Sequence, residues 1–485
     1  MSNDCKSKII TDLMSMNYLV SPYIIKLIPN EITYEFFTKN ILPKIEKKKY
    51  LTKLDDKDLL KMFEQDNKLD SKIQVVKSFN QIINNIEVKN FVNYFKIRYE
   101  NLKRLLQQRI ELQDAISIKR LNGHDRVSVI GLVYDKSYTK NNNIILQLED
   151  TTGFVKIIIK KDNSMTYNIA RDITLDEVIG VTGTFSKDVI FVDSIILPDT
   201  PNTTFKKCND DVYAAFISDL HIGSNMFLPE EFNNFIKWLN GNYGTDEQKK
   251  LSKKIKYLFI IGDLVDGVGI YPNQEDELFV KDINEQYKEC AKYLSKIRKD
   301  INIIICAGNH DSGRIAEPQL PLDKYYAKDL YELNNVIIVS NPSIVNIHAV
   351  NNFPGFNVLL YHGFSFDYYI SNIDSLRNNG GYDRADLLMK WLLQKRHLAP
   401  THTSTLYVPN ETEDPLVISI VPDFFVTGHI HKLAYSNYKS TTVICCSCWQ
   451  SKTSFQEKVG HNPEPGNVPI VNLKTREIKV MNFCE

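Results

Sequence analysis

The feature that most constrains the fold is a set of apolar runs in the second half of the chain, each ending in polar residues. The runs read VYAAFIS, KIKYLFIIGD, INIIICAGNH, NVLLYHG and DFFVTGHIH, and the first leads directly into DLHIGS at 219–224. Apolar runs that alternate with helical segments from about residue 211 onward predict an α/β fold. In such folds the loops at the carboxyl ends of the strands hold ligands.

Carboxylate and imidazole groups stand at these strand ends, although both are costly to remove from water. The later clusters are GDLVDG around Asp263, GNHDSGR, YHG with His362, and GHIH. A single D-x-H or H-x-H pair is weak evidence, because it can be an ordinary hydrogen-bonded pair in a loop. Five clusters in succession indicate a shared ligand. Five of the ten histidines fall inside them, and the others are interpreted as surface or structural residues.

The mixture of carboxylate and imidazole groups predicts two divalent metal ions, with Mn²⁺ expected and Fe²⁺ or Zn²⁺ as alternatives. Asp263 is the candidate bridging ligand, because a carboxylate can offer one oxygen to each metal. The remaining ligands form two sets, one for each metal: Asp219, His221 and His431, and then Asn309, His362 and His429. Such a pair activates water for in-line attack on phosphorus. His310 would orient the phosphate or protonate the leaving oxygen.

Composition restricts the compartment and the partners. The 485 residues are 43% hydrophobic and 24% charged, as in globular proteins, and no apolar run is long enough to cross a bilayer. The first residues, MSNDCKSKII, lack the apolar core of a secretory signal. The eight cysteines indicate no disulfide framework, and the one C-x-x-C spacing, Cys445 to Cys448, falls in the strand-like stretch TTVICCSCW, where small buried strand residues are favoured over a zinc site. We therefore expect a cytoplasmic protein in a reducing compartment, without a membrane partner.

Charge alone does not identify a nucleic-acid partner, since the formal net charge is zero. Between Lys89 and Arg120 there are eight Lys or Arg residues against three Asp or Glu residues. This local excess fits either a surface near phosphates or an ordinary solvated helix face.

The pattern along the chain predicts four regions: an N-terminal helical domain at 1–65, a linker and helix at 66–120, an OB-fold domain at 121–200, and the α/β domain at 201–485. Within the third region, five short strands alternate with period two, and a helical segment lies near 163–173. This arrangement is typical of an OB barrel. An OB barrel here can serve single-stranded nucleic acid or protein contact, and the sequence favours neither.

The order D-x-H, G-D, G-N-H-D, isolated H and G-H-x-H resembles the calcineurin-like metallophosphoesterases. That resemblance implies a β-sandwich with flanking helices and a dinuclear metal site at the strand ends. Members of the family cleave phosphomonoesters, phosphodiesters and DNA. The motifs thus imply hydrolysis of a phosphate ester without specifying the substrate.

Flanking segments are similar to the small subunits of archaeal family-D DNA polymerases. These are GDLVDGVGIYPNQ, GNHDSGRIAEPQLPL, YHGFSFD, KRHLAPTHTSTLYVPNETEDPLVI and WQSKTSFQEKVGHNPEPGNVPIVNL. The similarity extends from about residue 85 to the C-terminus and is weaker over the first 65 residues. It implies a 3'–5' exonuclease subunit that proofreads single-stranded DNA 3' ends for a separate large polymerase subunit.

Two alternatives stay open: a catalytically silent accessory subunit and a stand-alone DNA repair nuclease. Arg314 is a candidate phosphate contact for DNA, or equally a structural residue. No clear clamp-binding motif is present, so a sliding clamp remains an open partner.

Overall fold

The computed structural model of the chain describes Thr11 and residues 73–81, 86–123, 125–350 and 352–484. The chain divides into two compact units, one of Val75–Asn346 with Gly355–Glu485, the other of Met1–Gln74 with Ile347–Pro354. The predicted helical domain at 1–65 lies outside the described residues, apart from Thr11. The first-named unit contains the barrel, the sandwich and the candidate site.

The region predicted as linker and helix contains strand β1 (Ile73–Lys77) and helix α1 (Val88–Leu106). The Asn90 side chain accepts a hydrogen bond from the backbone N–H of Glu87 at the start of α1 (2.8 Å). The helix presents one apolar face to the barrel strands and a second to the helices of the α/β domain. It is therefore packed on two sides.

A closed five-stranded barrel confirms the predicted OB fold. Its strands are β2 (Arg126–Tyr138), β3 (Ile144–Asp150), β4 (Gly153–Ile159), β5 (Val178–Ser186) and β6 (Val189–Ile196), and helix α2 (Ser164–Arg171) follows β4. The order around the barrel is β2-β3-β4-β6-β5, with β4 and β6 parallel. Period-two alternation fills the interior, since Ile144, Leu146 and Leu148 are all fully buried.

Two six-stranded sheets form the predicted β-sandwich. The strands of the α/β domain are β7 (Tyr213–Ile217), β8 (Ile255–Ile261), β9 (Asn302–Cys306), β10 (Val336–Ile338), β11 (Ser343–Ile347), β12 (Phe356–Leu360), β13 (Phe424–Thr427), β14 (Ala434–Tyr438), β15 (Thr441–Cys445), β16 (Asn467–Asn472) and β17 (Ile478–Asn482). The first sheet has the order β10-β9-β8-β7-β16-β17, and the second β1-β11-β12-β13-β15-β14. Phe216 stacks on Phe259 within the first sheet (ring centroids 5.1 Å apart) and contacts Phe424 of the second (6.1 Å).

Helices flank the sheets, as predicted. They are α3 (Pro229–Leu239), α4 (Asp246–Ser252), α5 (Ile283–Ser295), α6 (Lys328–Tyr331), α7 (Phe366–Asn372), α8 (Asp374–Asn378), α9 (Ala385–Lys395) and α10 (Ser454–Val459). Apolar faces of α3 and α5 pack on the first sheet, and those of α7 and α9 on the second. No helix among the described residues is long and apolar enough to cross a membrane.

A buried ionic network joins α1 to the α/β domain. Arg98 is fully buried, and its Nε donates to Asp414 (2.7 Å). Tyr94 donates its hydroxyl to the same carboxylate (2.6 Å), and His397 Nε2 lies 2.9 Å from it. Arg98 also donates to the Pro400 carbonyl (2.6 Å). Arg98, one of the eight basic residues between Lys89 and Arg120, is thus a packing residue and is unavailable to phosphates.

We expect Arg98→Met to lower the free energy of unfolding by about 3–5 kcal/mol, because it leaves the Asp414 charge buried without its cation. Urea denaturation followed by tryptophan fluorescence would measure the change. Lys89→Met is the matched control, since Lys89 lies on the same helix but forms an exposed ion pair with Glu87 (2.8 Å). Equal denaturation midpoints for the two variants would contradict this account.

His397 gives the same network a pH dependence. Burial, and then the charge of Arg98, lower the pKa of His397 from 6.5 to about 4. The unfolded chain therefore binds this proton more tightly, so its contribution to stability is complete above about pH 6.5 and is lost as the pH falls towards 4. We expect His397→Gln to lose less stability than the parent chain between pH 7 and 4.5, as measured by urea denaturation at both pH values. An identical loss in both chains would exclude this role.

Candidate metal centre

Each predicted metal ligand lies in a loop that leaves the carboxyl end of a sandwich strand. The first sheet contributes four ligands from the loops after β7, β8 and β9: Asp219, His221, Asp263 and Asn309. The second sheet contributes three from the loops after β12 and β13: His362, His429 and His431. Neither sheet could assemble the centre alone.

The backbone is strained at most of these positions. Five predicted ligands have positive φ angles of 50–69°: Asp219, His221, Asp263, His429 and His431. Residues with a side chain rarely adopt this conformation, and it persists where the surrounding structure imposes it. Such strain clusters at functional sites, which supports a ligand-binding role for these loops.

The first predicted set of ligands comes together closely. Candidate ligand atoms of Asp219, His221 and His431 all lie within 4.8 Å of one another. His431 Nε2 is 3.3 Å from Asp219 Oδ1 and 3.1 Å from His221 Nε2. Imidazole and carboxylate atoms therefore face a common point, as a metal requires.

A second group combines Asp219 and Asp263 with His362. His362 Nε2 lies 3.3 Å from Asp263 Oδ2, 4.0 Å from Asp219 Oδ1 and 3.0 Å from Asn309 Oδ1. Asp263 Oδ2 is also 3.8 Å from His221 Nε2. Both carboxylates thus lie between the two sets of imidazoles, so the geometry offers Asp219 as well as Asp263 as a bridge.

Two predicted site residues have other partners. His429 Nε2 lies 2.9 Å from Asp367 Oδ2, and none of the candidate metal groups among the described residues includes His429. Its backbone N–H donates to Asp219 (2.9 Å), so the loop still supports the centre. Arg314 donates from Nε and Nη2 to the Pro318 carbonyl (2.9 and 2.6 Å), which engages the guanidinium within its own loop.

Asp266 is a residue of the candidate centre that the sequence reasoning missed. Its carboxylate lies 2.9 Å from His221 Nδ1, and its backbone oxygen accepts from His310 Nδ1 (2.8 Å). A carboxylate on the far nitrogen of a ligating imidazole orients the ring and raises its basicity. The sequence did contain a signal for this residue, since Asp266 is the second aspartate of GDLVDG, the motif that contains Asp263.

Two further residues support the centre from positions that the sequence analysis did not single out. Gln450 donates to Asp266 Oδ1 (3.0 Å), and Asp367 holds His429. Asp367 ends the quoted segment YHGFSFD, whereas nothing in the local pattern around Gln450 indicated its role.

The electrostatics of the centre fit a cation. Burial alone would lower the pKa of His362, but Asp263 and Asp219 raise it to about 10. Burial raises the pKa of the Asp263 carboxyl, but His362 and His310 outweigh burial and hold that pKa well below its ordinary value. The carboxylates thus draw protons onto neighbouring imidazoles, and metal binding would release them. The oxygen and nitrogen donors suit Mn²⁺, Fe²⁺ or Zn²⁺.

Comparison with known proteins places this centre in a family. Residues 213–433 match the calcineurin-like phosphoesterase family. The DNA polymerase II small subunit of Methanothermobacter thermautotrophicus is 43% identical over 387 residues, or 80% of this chain and 78% of that protein. The chain belongs to the DNA polymerase II small subunit family. The resemblance drawn from the motifs is therefore confirmed.

Other members of the family are similarly close. The DNA polymerase II small subunit of Methanocaldococcus jannaschii is 40% identical over 393 residues, which cover 80% of this chain and 64% of that protein. Among solved structures, an archaeal phosphodiesterase aligns with 56% of this chain and 99% of its own, at 14% identity and a TM-score of 0.28.

We expect Asp266→Ala to weaken Mn²⁺ binding by ~10–100-fold, because His221 loses the group that orients it. Isothermal titration of the full chain with Mn²⁺ would measure the affinity. Glu275→Ala is the matched control, since Glu275 is an exposed acid in the same loop. Unchanged affinity in Asp266→Ala would show that His221 is not oriented by Asp266.

Proposed function

We propose that this chain is the 3'–5' exonuclease subunit of a two-subunit DNA polymerase. It would hydrolyse phosphodiester bonds at single-stranded DNA 3' ends for proofreading and act as a scaffold for the large polymerase subunit. The observation that carries the proposal is the convergence of two carboxylates and three imidazoles from both sheets: Asp219, Asp263, His221, His362 and His431. The partner follows from the relatives, whose name describes them as small subunits.

Two Mn²⁺ ions would supply Lewis acidity and an activated water when bound. His221 and His431 would hold one ion together with Asp219, and His362 with Asn309 would hold the other. Asp263 would hold both ions. His429 would support the centre through its backbone N–H bond to Asp219. The partly exposed members are Asn309, His310 and His429, whereas the other ligands are buried. The scissile phosphate would therefore approach from the side of these three residues.

His310 is suited to donate a proton or hydrogen bond to the substrate. Its Nδ1 faces the Asp266 carbonyl (2.8 Å), which can only accept, so Nδ1 carries a proton. Nε2 is then the nitrogen that exchanges a proton with phosphate or the leaving oxygen. The His310 backbone N–H donates to Asp263 Oδ1 (2.8 Å), which ties its position to the metal centre.

A catalytically silent accessory subunit would share the fold and the partner but would show no turnover. The strained loops and the fully buried Asp219 argue against it, because retaining unneeded charged groups in this arrangement destabilises a protein. A stand-alone repair nuclease would share the site but would not require the large subunit. Contact with a sliding clamp is outside the proposal.

The test uses a 5'-labelled single-stranded oligonucleotide with Mn²⁺. We expect a ladder that shortens from the 3' end, that EDTA abolishes, and that Asp263→Ala reduces by about 10²-fold or more through loss of electrostatic stabilisation. Glu275→Ala should retain the ladder.

Absence of cleavage by the chain alone calls for the same assay with the large subunit added. Activity that appears then identifies a nuclease that depends on its partner. No activity in either form overturns the proposal in favour of the silent subunit.

A further inference from the structure

A loop beside His310 exposes apolar side chains at the edge of a polar centre. Val268 is 40% exposed and Ile270 37%, and Tyr271 next to them is half-buried. We call Val268, Ile270 and Tyr271 the ledge. The metal chemistry described above uses none of them.

The ledge lies directly against His310. Gly267 has a φ of +76°, and a Cβ at this position would come within 2.5 Å of the His310 carbonyl oxygen and 2.9 Å of Ile270 Cγ1. The loop backbone, His310 and Ile270 therefore converge where only glycine fits. The rings of Tyr271 and His310 meet edge to face, with centroids 6.4 Å apart.

Two buried amides hold the loop in this conformation. Gln274 accepts from the backbone N–H of Ile270 (2.9 Å) and donates to the carboxylate and carbonyl of Asp266 (2.9 and 2.8 Å). Gln286 accepts from Gly267 N–H (3.0 Å) and donates to the Val280 carbonyl (2.7 Å). Buried amides stabilise a structure only when they are bonded in this way. These hydrogen bonds therefore hold the loop in the conformation that exposes the ledge.

The charges within the loop itself disfavour backbone phosphates as the group that the ledge contacts. Residues 262–280 contain no lysine or arginine, and Glu275, Asp276 and Glu277 follow the ledge. These acids repel phosphate, whereas apolar and aromatic side chains accept the faces of nucleobases regardless of sequence.

We propose that the ledge receives the unpaired nucleobase at or next to the 3' end, an inference that rests on the proposed function. A base stacked within a duplex cannot lie on the ledge, whereas a frayed or mismatched base can. The ledge would thus position single-stranded ends relative to His310 and favour them over paired ends.

The test compares two substrates of the full chain with Mn²⁺: a 5'-labelled oligothymidine, and the same oligonucleotide with abasic residues at its two 3'-terminal positions. We expect Val268→Ser/Ile270→Ser to lower the ratio of kcat/KM for the intact oligonucleotide to that for the abasic one by about tenfold, mainly through KM. Val268→Ile/Ile270→Leu keeps the apolar surface and should retain the ratio. The matched control is Val480→Ser, because Val480 is 39% exposed on β17, which contributes no ligand.

A binding measurement separates failure of the inference from failure of the proposed function. Fluorescence anisotropy of labelled oligothymidine in EDTA should show a Kd about tenfold higher for the double serine variant than for Val480→Ser. If neither substrate is cleaved, with or without the large subunit, but this difference in Kd persists, the nuclease proposal falls and the ledge stands as a base-binding surface. If cleavage occurs and both the ratio and the Kd stay within twofold of the control, the inference is overturned. A parent chain that neither cleaves nor binds the probe overturns it as well.

Discussion

The structure around the candidate centre depends on two buried carboxylates, Asp219 and Asp263, held close together among imidazoles. Two like charges in a medium that excludes water are unfavourable unless cations or protons compensate them. This requirement accounts for the histidines brought in from both sheets. It also accounts for the left-handed backbone at five ligands, because the side chains converge only when the loops turn sharply at the strand ends.

Asp266 contacts both a candidate ligand, His221, and the neighbouring His310. Its side chain orients His221, its carbonyl orients His310, and both groups are held by Gln274. The residue that positions one metal ligand therefore also positions the predicted proton donor and the loop that carries the ledge. A change at Asp266 would disturb metal affinity and substrate position together, whereas changes at the exposed ledge affect only the substrate.

Helix α1 joins the barrel to the α/β domain. One face packs on the barrel, with Leu102 and Leu106 against Ile130, and the other packs on the α/β domain through Tyr94. Arg98 lies fully buried between these contacts and is paired with Asp414. Desolvation offsets much of the attraction within a buried ion pair, but separating the partners leaves an uncompensated buried charge. The pair therefore favours the docking of the helix in which both partners meet.

The sequence by itself determined the fold class, the barrel and the order of the metal motifs, because strand alternation and the residues that follow each strand are local patterns. It indicated the ligand types for the same reason. Only the tertiary structure decided which ligands meet: Asp219 and His431 are far apart in the chain, and their 3.3 Å contact depends on the order of strands in two sheets. It also decided that His429 faces Asp367, that Arg98 is buried, and that the ledge adjoins His310. Such contacts arise from packing between distant segments, which no local pattern encodes.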